Sequence, residues 1–132
     1  MILGERSLQR LEGVHPALVS VVKCAMRHAT EAGMDFTVLE GLRTLARQKK
    51  LLEQGATKTL NSRHLTGHAV DLGVLIAGKV DWHWELYERL ALIVKNAATE
   101  MGVVVEWGGS WPKFRDGPHH QLPWKDYPST GG

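Results

Sequence analysis

The sequence predicts an α+β domain, with helices packed on a small central antiparallel sheet. Three observations lead there. Apolar residues recur at helical spacing in two long segments, and short runs of strand-forming residues lie between and after them. Helical and strand segments also mix without the alternating rhythm of a parallel βαβ sheet. At 132 residues the chain fits one compact domain. Residues 1–127 are expected to form it, with residues 128–132, Pro-Ser-Thr-Gly-Gly, as a frayed tail.

The elements follow in order. Ser7 is placed to cap a short first helix carrying Leu8 and Leu11. A longer helix is predicted from Pro16 to Ala32. Proline suits its first turn and Gly33 the left-handed position after its end, while Leu18, Val21, Val22, Ala25, Met26 and Ala29 form its apolar stripe. Cys24 on this helix reads as a packing residue rather than a nucleophile. Phe36 to Leu39 reads as a strand. Thr44 is positioned to cap a helix through Gln54, stopped by Gly55, and the polar stretch from Thr57 to Thr66 reads as loop. Ala69 to Ile76 is strand-like, with Gly78 near a turn. From Trp82 to Met101 the positions Leu86, Leu90, Ile93, Val94, Ala97 and Met101 trace one helical face, and Gly102 ends it. A strand over Val103–Trp107, a loop rich in glycine and tryptophan, and a short strand near His120–Leu122 complete the set.

Composition narrows the function. The hydrophobic fraction of 43% is ordinary for a globular protein. A single cysteine excludes an internal disulfide and fits a reducing compartment. The net charge is +2 and the pI about 8.8, a mild basicity that favours approach to an anionic polymer such as nucleic acid or bacterial cell wall. No Lys/Arg block is long enough for a nucleic-acid-binding tail, so no nucleic-acid partner is expected. Arg43, Arg47, Lys49 and Lys50 read as the solvated side of a helix. The start, Met1-Ile-Leu-Gly-Glu-Arg, lacks the pattern of a signal peptide, and no apolar run approaches the roughly 20 residues of a membrane span. Synthesis in the cytoplasm without stable membrane insertion is therefore expected, and an external substrate would require a separate route out.

The chemistry concentrates in two stretches. The first is Ser62-Arg-His-Leu-Thr-Gly-His-Ala-Val-Asp-Leu72. On a continuous helix His64 and Asp71 would sit about 10 Å apart. On a continuous strand they would face opposite sides of the sheet. Zinc ligands must bring their donor atoms within about 3–3.5 Å of each other. Joint ligation thus requires the chain to turn between the two, and Gly67 supplies a turn residue. The second stretch, Trp107 to Gln121, offers His119 as a third ligand and Asp116 as a carboxylate beside the metal. Three protein ligands with an open position suit catalysis rather than structure, and a free carboxylate can shuttle the proton of an attacking water. His119 and His120 compete here, because adjacent strand residues point to opposite faces and only one should reach the metal.

Taken together, Ser62-x-His64-x-x-Gly67-x-Ala69-x-Asp71 resembles the signature of zinc D-Ala-D-Ala carboxypeptidases and dipeptidases. Related L-alanyl-D-glutamate peptidases that serve as phage endolysins share it. Trp107-Gly-Gly-x-Trp111 and Asp116-x-Pro118-His119 are more similar to the endolysin branch, where an aspartate stands in place of the carboxypeptidases' glutamate base. The similarity runs through Gly41-Leu-Arg43 and Gln48 and covers roughly residues 7 to 124.

The resemblance implies His64, Asp71 and His119 as ligands of Zn2+, selecting His119 over His120 because the family's ligand follows the proline directly. It implies Asp116 as general base and Arg43 as a group that binds a substrate carboxylate or polarises the scissile carbonyl. Ser62 and Gln48 become substrate contacts, and the fold is that of the zinc D-Ala-D-Ala peptidases, related to hedgehog domains. Trp107 and Trp111 flank the Gly-Gly loop and are expected to line the cleft, whereas Trp82, Trp84 and Trp124 read as core or lid residues. Simpler roles stand beside these. Asp116 suits an Asp-Gly-Pro turn, Arg43 a pair with Glu40, and Ser62 a turn. His68 reads as a surface histidine or a support for the ligands, and His15, His28 and His83 as surface or capping residues.

The implied function is hydrolysis of the L-Ala–D-Glu bond of peptidoglycan stem peptides during phage host lysis. The enzyme would act as a monomer, held in the cytoplasm until a holin-type pore releases it to the wall. The alternatives are a D-Ala-D-Ala carboxypeptidase or dipeptidase, or a non-catalytic zinc-containing binding module. The His/His/Asp set favours zinc without excluding manganese or cobalt.

Overall fold

The two amphipathic segments form the helical layer of the protein and fix the position of its core. The computed structural model describes residues 3–57, 59, 61–113 and 115–128. Of the expected tail only Pro128 is among them, and residues 129–132 lie outside. Helix α1 spans Glu5–Arg10, α2 Pro16–Glu31, α3 Leu45–Glu53 and α4 Trp84–Met101. Strands are β1 (Asp35–Glu40), β2 (Ala69–Ile76), β3 (Lys79–Asp81), β4 (Glu106–Trp107) and β5 (His119–Gln121). They form one antiparallel sheet in the order β1-β2-β5-β4, with β3 folded back on β2.

Helix α2 starts as the sequence indicates. Pro16 sits in its first turn, and the side chain of His15 accepts a hydrogen bond from the Ala17 N–H, satisfying one of the free donors of the helix end. All six residues of the predicted stripe are buried, and they pack with Leu90, Val94 and Ala97 of α4 and with Phe36, Val38, Val70, Leu72 and Val74 of the sheet. Each leucine, valine, methionine or phenylalanine among them contributes about 1.5–3 kcal/mol when removed from water. No helix of the described residues is long and apolar enough to cross a membrane.

Several expectations change. Ser7 does not cap α1, because Gly4 holds that position. The Ser7 hydroxyl is instead buried against β1, bonded to the Thr37 hydroxyl and accepting from the Val38 N–H. Leu8 and Met101 are exposed, since each lies at the edge of its helical face. The polar stretch before β2 is not all loop: Arg63–Thr66 form a 3-10 turn. The hairpin strand β3 was not anticipated, three residues being too few to display alternation. Helix α4 begins at Trp84 rather than Trp82. Residues 103–105 are not in a strand, as only Glu106 and Trp107 find a partner, and the last strand is His119–Gln121 rather than 120–122.

Candidate metal centre

The turn that His64 and Asp71 require is built from two local features. Ser62 caps the 3-10 turn by accepting from the His64 N–H at 3.2 Å. Gly67 then adopts φ +75°, and a Cβ there would lie 2.2 Å from the Gly13 carbonyl oxygen, so only glycine fits. The chain reverses at Gly67 and enters β2, which carries Asp71. On β5, His119 is the direct cross-strand partner of Asp71, and such partners project from the same face. Strand β1 contributes by an irregularity. Its register slips at Leu39, so Glu40 pairs with Asp71 although Val38 pairs with Leu72. This bulge moves Glu40 from the core face to the face bearing Asp71.

The three side chains converge. Asp71 Oδ1 lies 3.2 Å from His64 Nε2 and 3.3 Å from His119 Nδ1, and one ligand atom from each residue falls within 4.8 Å of the others. The remaining ring nitrogens are occupied. His64 Nδ1 is 2.8 Å from the Gly41 carbonyl oxygen and so donates to it, while His119 Nε2 is 2.8 Å from Gln121 Oε1. Each imidazole thus turns its other ring nitrogen toward the aspartate. The spacing and the N/N/O donor set fit a divalent transition metal such as zinc.

The electrostatics favour positive charge at this point. Burial works against a charged Asp71, but hydrogen bonds from His119 and His64 outweigh it and hold the carboxyl far below the usual range. Burial likewise opposes a charged His119, yet Asp71, then Gln121 and Asp116, raise its pKa. A bound cation replaces protons in such a site.

The triad lies in a cleft of about 610 Å³. Asp116 lines it with the carboxylate free of ligand duty, and burial, reinforced by the nearby Asp71 charge, raises its pKa. Its placement depends on Gly108. The Asp116 N–H donates to the Gly108 carbonyl, and a Cβ on residue 108 would come within 2.6 Å of the Asp116 backbone carbonyl oxygen and 3.0 Å of His119 Cβ. Arg43 also lines the cleft. Its guanidinium bonds Glu40 at 2.6 Å and Gln48 at 2.8 Å and lies 3.6 Å from Asp71 Oδ2. Far from the solvated helix face expected for it, Arg43 precedes α3 and is largely enclosed, whereas Arg47, Lys49 and Lys50 are exposed. Trp111 lines the cleft with its ring 5.1 Å from that of His119.

Three expected substrate contacts sit differently. Gln48 does not reach the cleft wall. It is fully buried, with its oxygen on Arg43 and its amide donating to the Thr59 carbonyl, so it holds the arginine and the loop. Trp107 does not line the cleft either: it pairs with His120 on the other side of the sheet, donates to the Gly117 carbonyl and stacks on Trp84. Ser62 borders the cleft, with its hydroxyl engaged in the turn. Trp124, by contrast, lines the cleft, under the guanidinium of Arg63.

His120 faces the core beside Val70, wholly buried, and burial pushes its pKa down to about 3. Its Nε2 has no hydrogen-bond partner among the described residues. The other histidines serve locally. His15 caps α2, His68 bonds Thr66, His83 pairs with Asp81, and His28 approaches Glu100. The expected pair of Arg43 with Glu40 is present, whereas sequence reasoning missed Glu106 and Gln121. Gln121 carried a usable signal, since it stands two residues after His119 on the same strand face.

A second group of ligand-type residues, Cys24, His28 and Glu100, also brings its donor atoms within 4.8 Å. Here the carboxylate is already answered: Arg27 bonds Glu100 directly, and the Cys24 thiol donates to the same oxygen at 2.9 Å. Burial, then Glu100, pushes that thiol's pKa up. Cys24 is a packed residue with an occupied partner.

Known proteins share this arrangement of sequence and fold. The chain is similar to the L-alanyl-D-glutamate peptidase of Escherichia phage T5, 30% identical over 112 residues that cover 82% of this chain and 80% of that protein. It is 29% identical over 124 residues to the peptidoglycan L-alanyl-D-glutamate endopeptidase CwlK of Bacillus subtilis, covering 83% and 73%. The crystal structure of the Serratia marcescens L-Ala D-Glu endopeptidase ChiX superposes with a TM-score of 0.87 at 49% identity, over 95% of this chain and 92% of that one. A family model described as phage L-alanyl-D-glutamate peptidase matches residues 1–122, and the chain belongs to that family.

Proposed function

We propose that the chain is a zinc endopeptidase that hydrolyses the L-Ala–D-Glu bond of peptidoglycan stem peptides. The single observation that carries this reading is the convergence of His64, Asp71 and His119 in an open cleft with a fourth group, Asp116, left uncommitted. Family membership supplies the bond. In this reading residues 1–127 are the catalytic domain.

His64 Nε2, His119 Nδ1 and Asp71 would hold the ion. Its contribution is Lewis-acid chemistry, lowering the pKa of water and polarising a carbonyl. The chain's own residues do the rest. Asp116, raised in pKa by its enclosure, takes a proton from the attacking water and returns it to the leaving amine of D-Glu. Arg43, steadied by Glu40 and Gln48, presents its fork to a substrate carboxylate or the scissile carbonyl. Ser62 and Trp111 border the bound peptide. The enzyme works as a monomer on the cell wall in phage host lysis, released from the host cytoplasm through a holin-type pore. Mild positive charge aids its approach to the wall.

Digestion of purified peptidoglycan tests the bond. New N-terminal D-Glu detected by mass spectrometry is the expected product. Release of D-Ala would replace this reading with a D-Ala-D-Ala carboxypeptidase, and zinc uptake without any cleavage would replace it with a binding module.

A further inference from the structure

Behind His119 a chain of hydrogen bonds leads away from the triad. His119 Nε2 meets Gln121 Oε1 at 2.8 Å, Gln121 Nε2 meets Glu106 Oε1 at 3.0 Å, and Trp111 Nε1 meets the same Glu106 oxygen at 3.2 Å. Gln121 is buried, and Glu106 pairs with it across the β4–β5 ladder. The direction of every bond follows from the donor inventory. An indole N–H only donates and an ionised carboxylate only accepts. Glu106 therefore draws the amide N–H of Gln121 toward itself. That leaves the Gln121 oxygen facing His119, so His119 donates through Nε2 and turns Nδ1 toward the triad. Nδ1 is the nitrogen 3.3 Å from Asp71 Oδ1.

We infer that Glu106 and Gln121 are positioning residues that set the tautomer and the ring orientation of His119, and that Glu106 ties the cleft-lining indole of Trp111 to the same anchor. This inference rests on the reading of His119 as a metal ligand, and it adds residues outside the ligand triad that act through His119. Outer partners of ligating histidines of this kind are worth about 10–100-fold in metal affinity.

The test reads zinc affinity, by competition with a chromogenic chelator, and the His119 tautomer, by nitrogen-15 NMR of the metal-free protein. The wild type should show Nε2–H at His119. Gln121→Leu should weaken zinc binding by about 10–100-fold and abolish the single-tautomer signature. Glu106→Leu should act in the same direction, and Glu106→Gln, which keeps an acceptor oxygen in place, should restore most of the affinity. Should Gln121→Leu fail to fold, the Glu106 pair of variants decides alone, because Glu106 stands at the cleft edge. Unchanged affinity and tautomer in folded Glu106→Leu overturn the inference. A wild type that binds no zinc would sink the metal reading instead, while the metal-free tautomer would still report on the relay.

Discussion

Among the described residues two clusters bring ligand-type side chains within 4.8 Å of one another, and they differ in what stands behind them. Around His64, Asp71 and His119, each histidine is gripped through the nitrogen that faces away, by the Gly41 carbonyl and by Gln121, and the nearest cation, Arg43, stays 3.6 Å from Asp71. At Cys24, His28 and Glu100, the carboxylate is bonded by Arg27 and by the cysteine thiol, and the side chains of Arg27 and Glu100 are 61% and 47% exposed. The first cluster has donors oriented from behind, and its one cationic neighbour, Arg43, is shared with Glu40. The second has its charge balanced by an arginine in contact with water. Proximity of ligand types alone does not distinguish the two clusters; the orientation of the ring nitrogens from behind does.

The sharpest break of this comparison is Asp71→Ala. It removes the group that bridges both histidines, so bound zinc should fall from one ion per chain to none and hydrolysis to background, as read by metal analysis and a peptidoglycan turbidity assay. A consequence for stability accompanies it. Zinc at 100 times its dissociation constant should stabilise the wild type by about 2.7 kcal/mol and the variant not at all, measured by denaturant titration. Retention of zinc by the variant would place the ion elsewhere.

Asp116→Asn tests the uncommitted carboxylate of the same region. Turnover should drop by about 10²–10⁴-fold with zinc content unchanged, because the amide keeps the shape and loses the basicity. Full lysis by this variant would remove Asp116 from the mechanism.

The smallest effect belongs to the second cluster. Glu100→Gln should leave zinc stoichiometry and hydrolysis as in the wild type, since Arg27 and not a metal is the partner of that carboxylate. Loss of a bound ion in Glu100→Gln would erase the distinction between the two clusters.

Much of this was legible beforehand, and unevenly. The stripes of α2 and α4 could be read because helical burial imprints a period on the sequence that survives without knowledge of neighbours. Thr44 and Gly33 could be read because capping chemistry is local. His64, Asp71, His119 and Asp116 were legible as a set through spacing and motif, and the fold gathers them in one cleft. Trp107 and Gln48 were misjudged because closeness to the motif in sequence says nothing about which side of a short strand or loop a side chain takes.

What the sequence determined by itself was the helical frame, the need for a turn between His64 and Asp71, and the inventory of groups able to bind metal and move protons. The rest required the tertiary structure. The pairing of Asp71 with His119 across β2 and β5 put His119, and not His120, on the face of Asp71, and the bulge at Leu39 brought Glu40 to the cleft. The hydrogen bonds behind His119 aimed its Nδ1 at the centre. The physical reason is common to all of these. Helix periods and caps are set by residues within a few positions of one another, whereas register, facing and tautomer are set by partners that only the folded chain brings into contact.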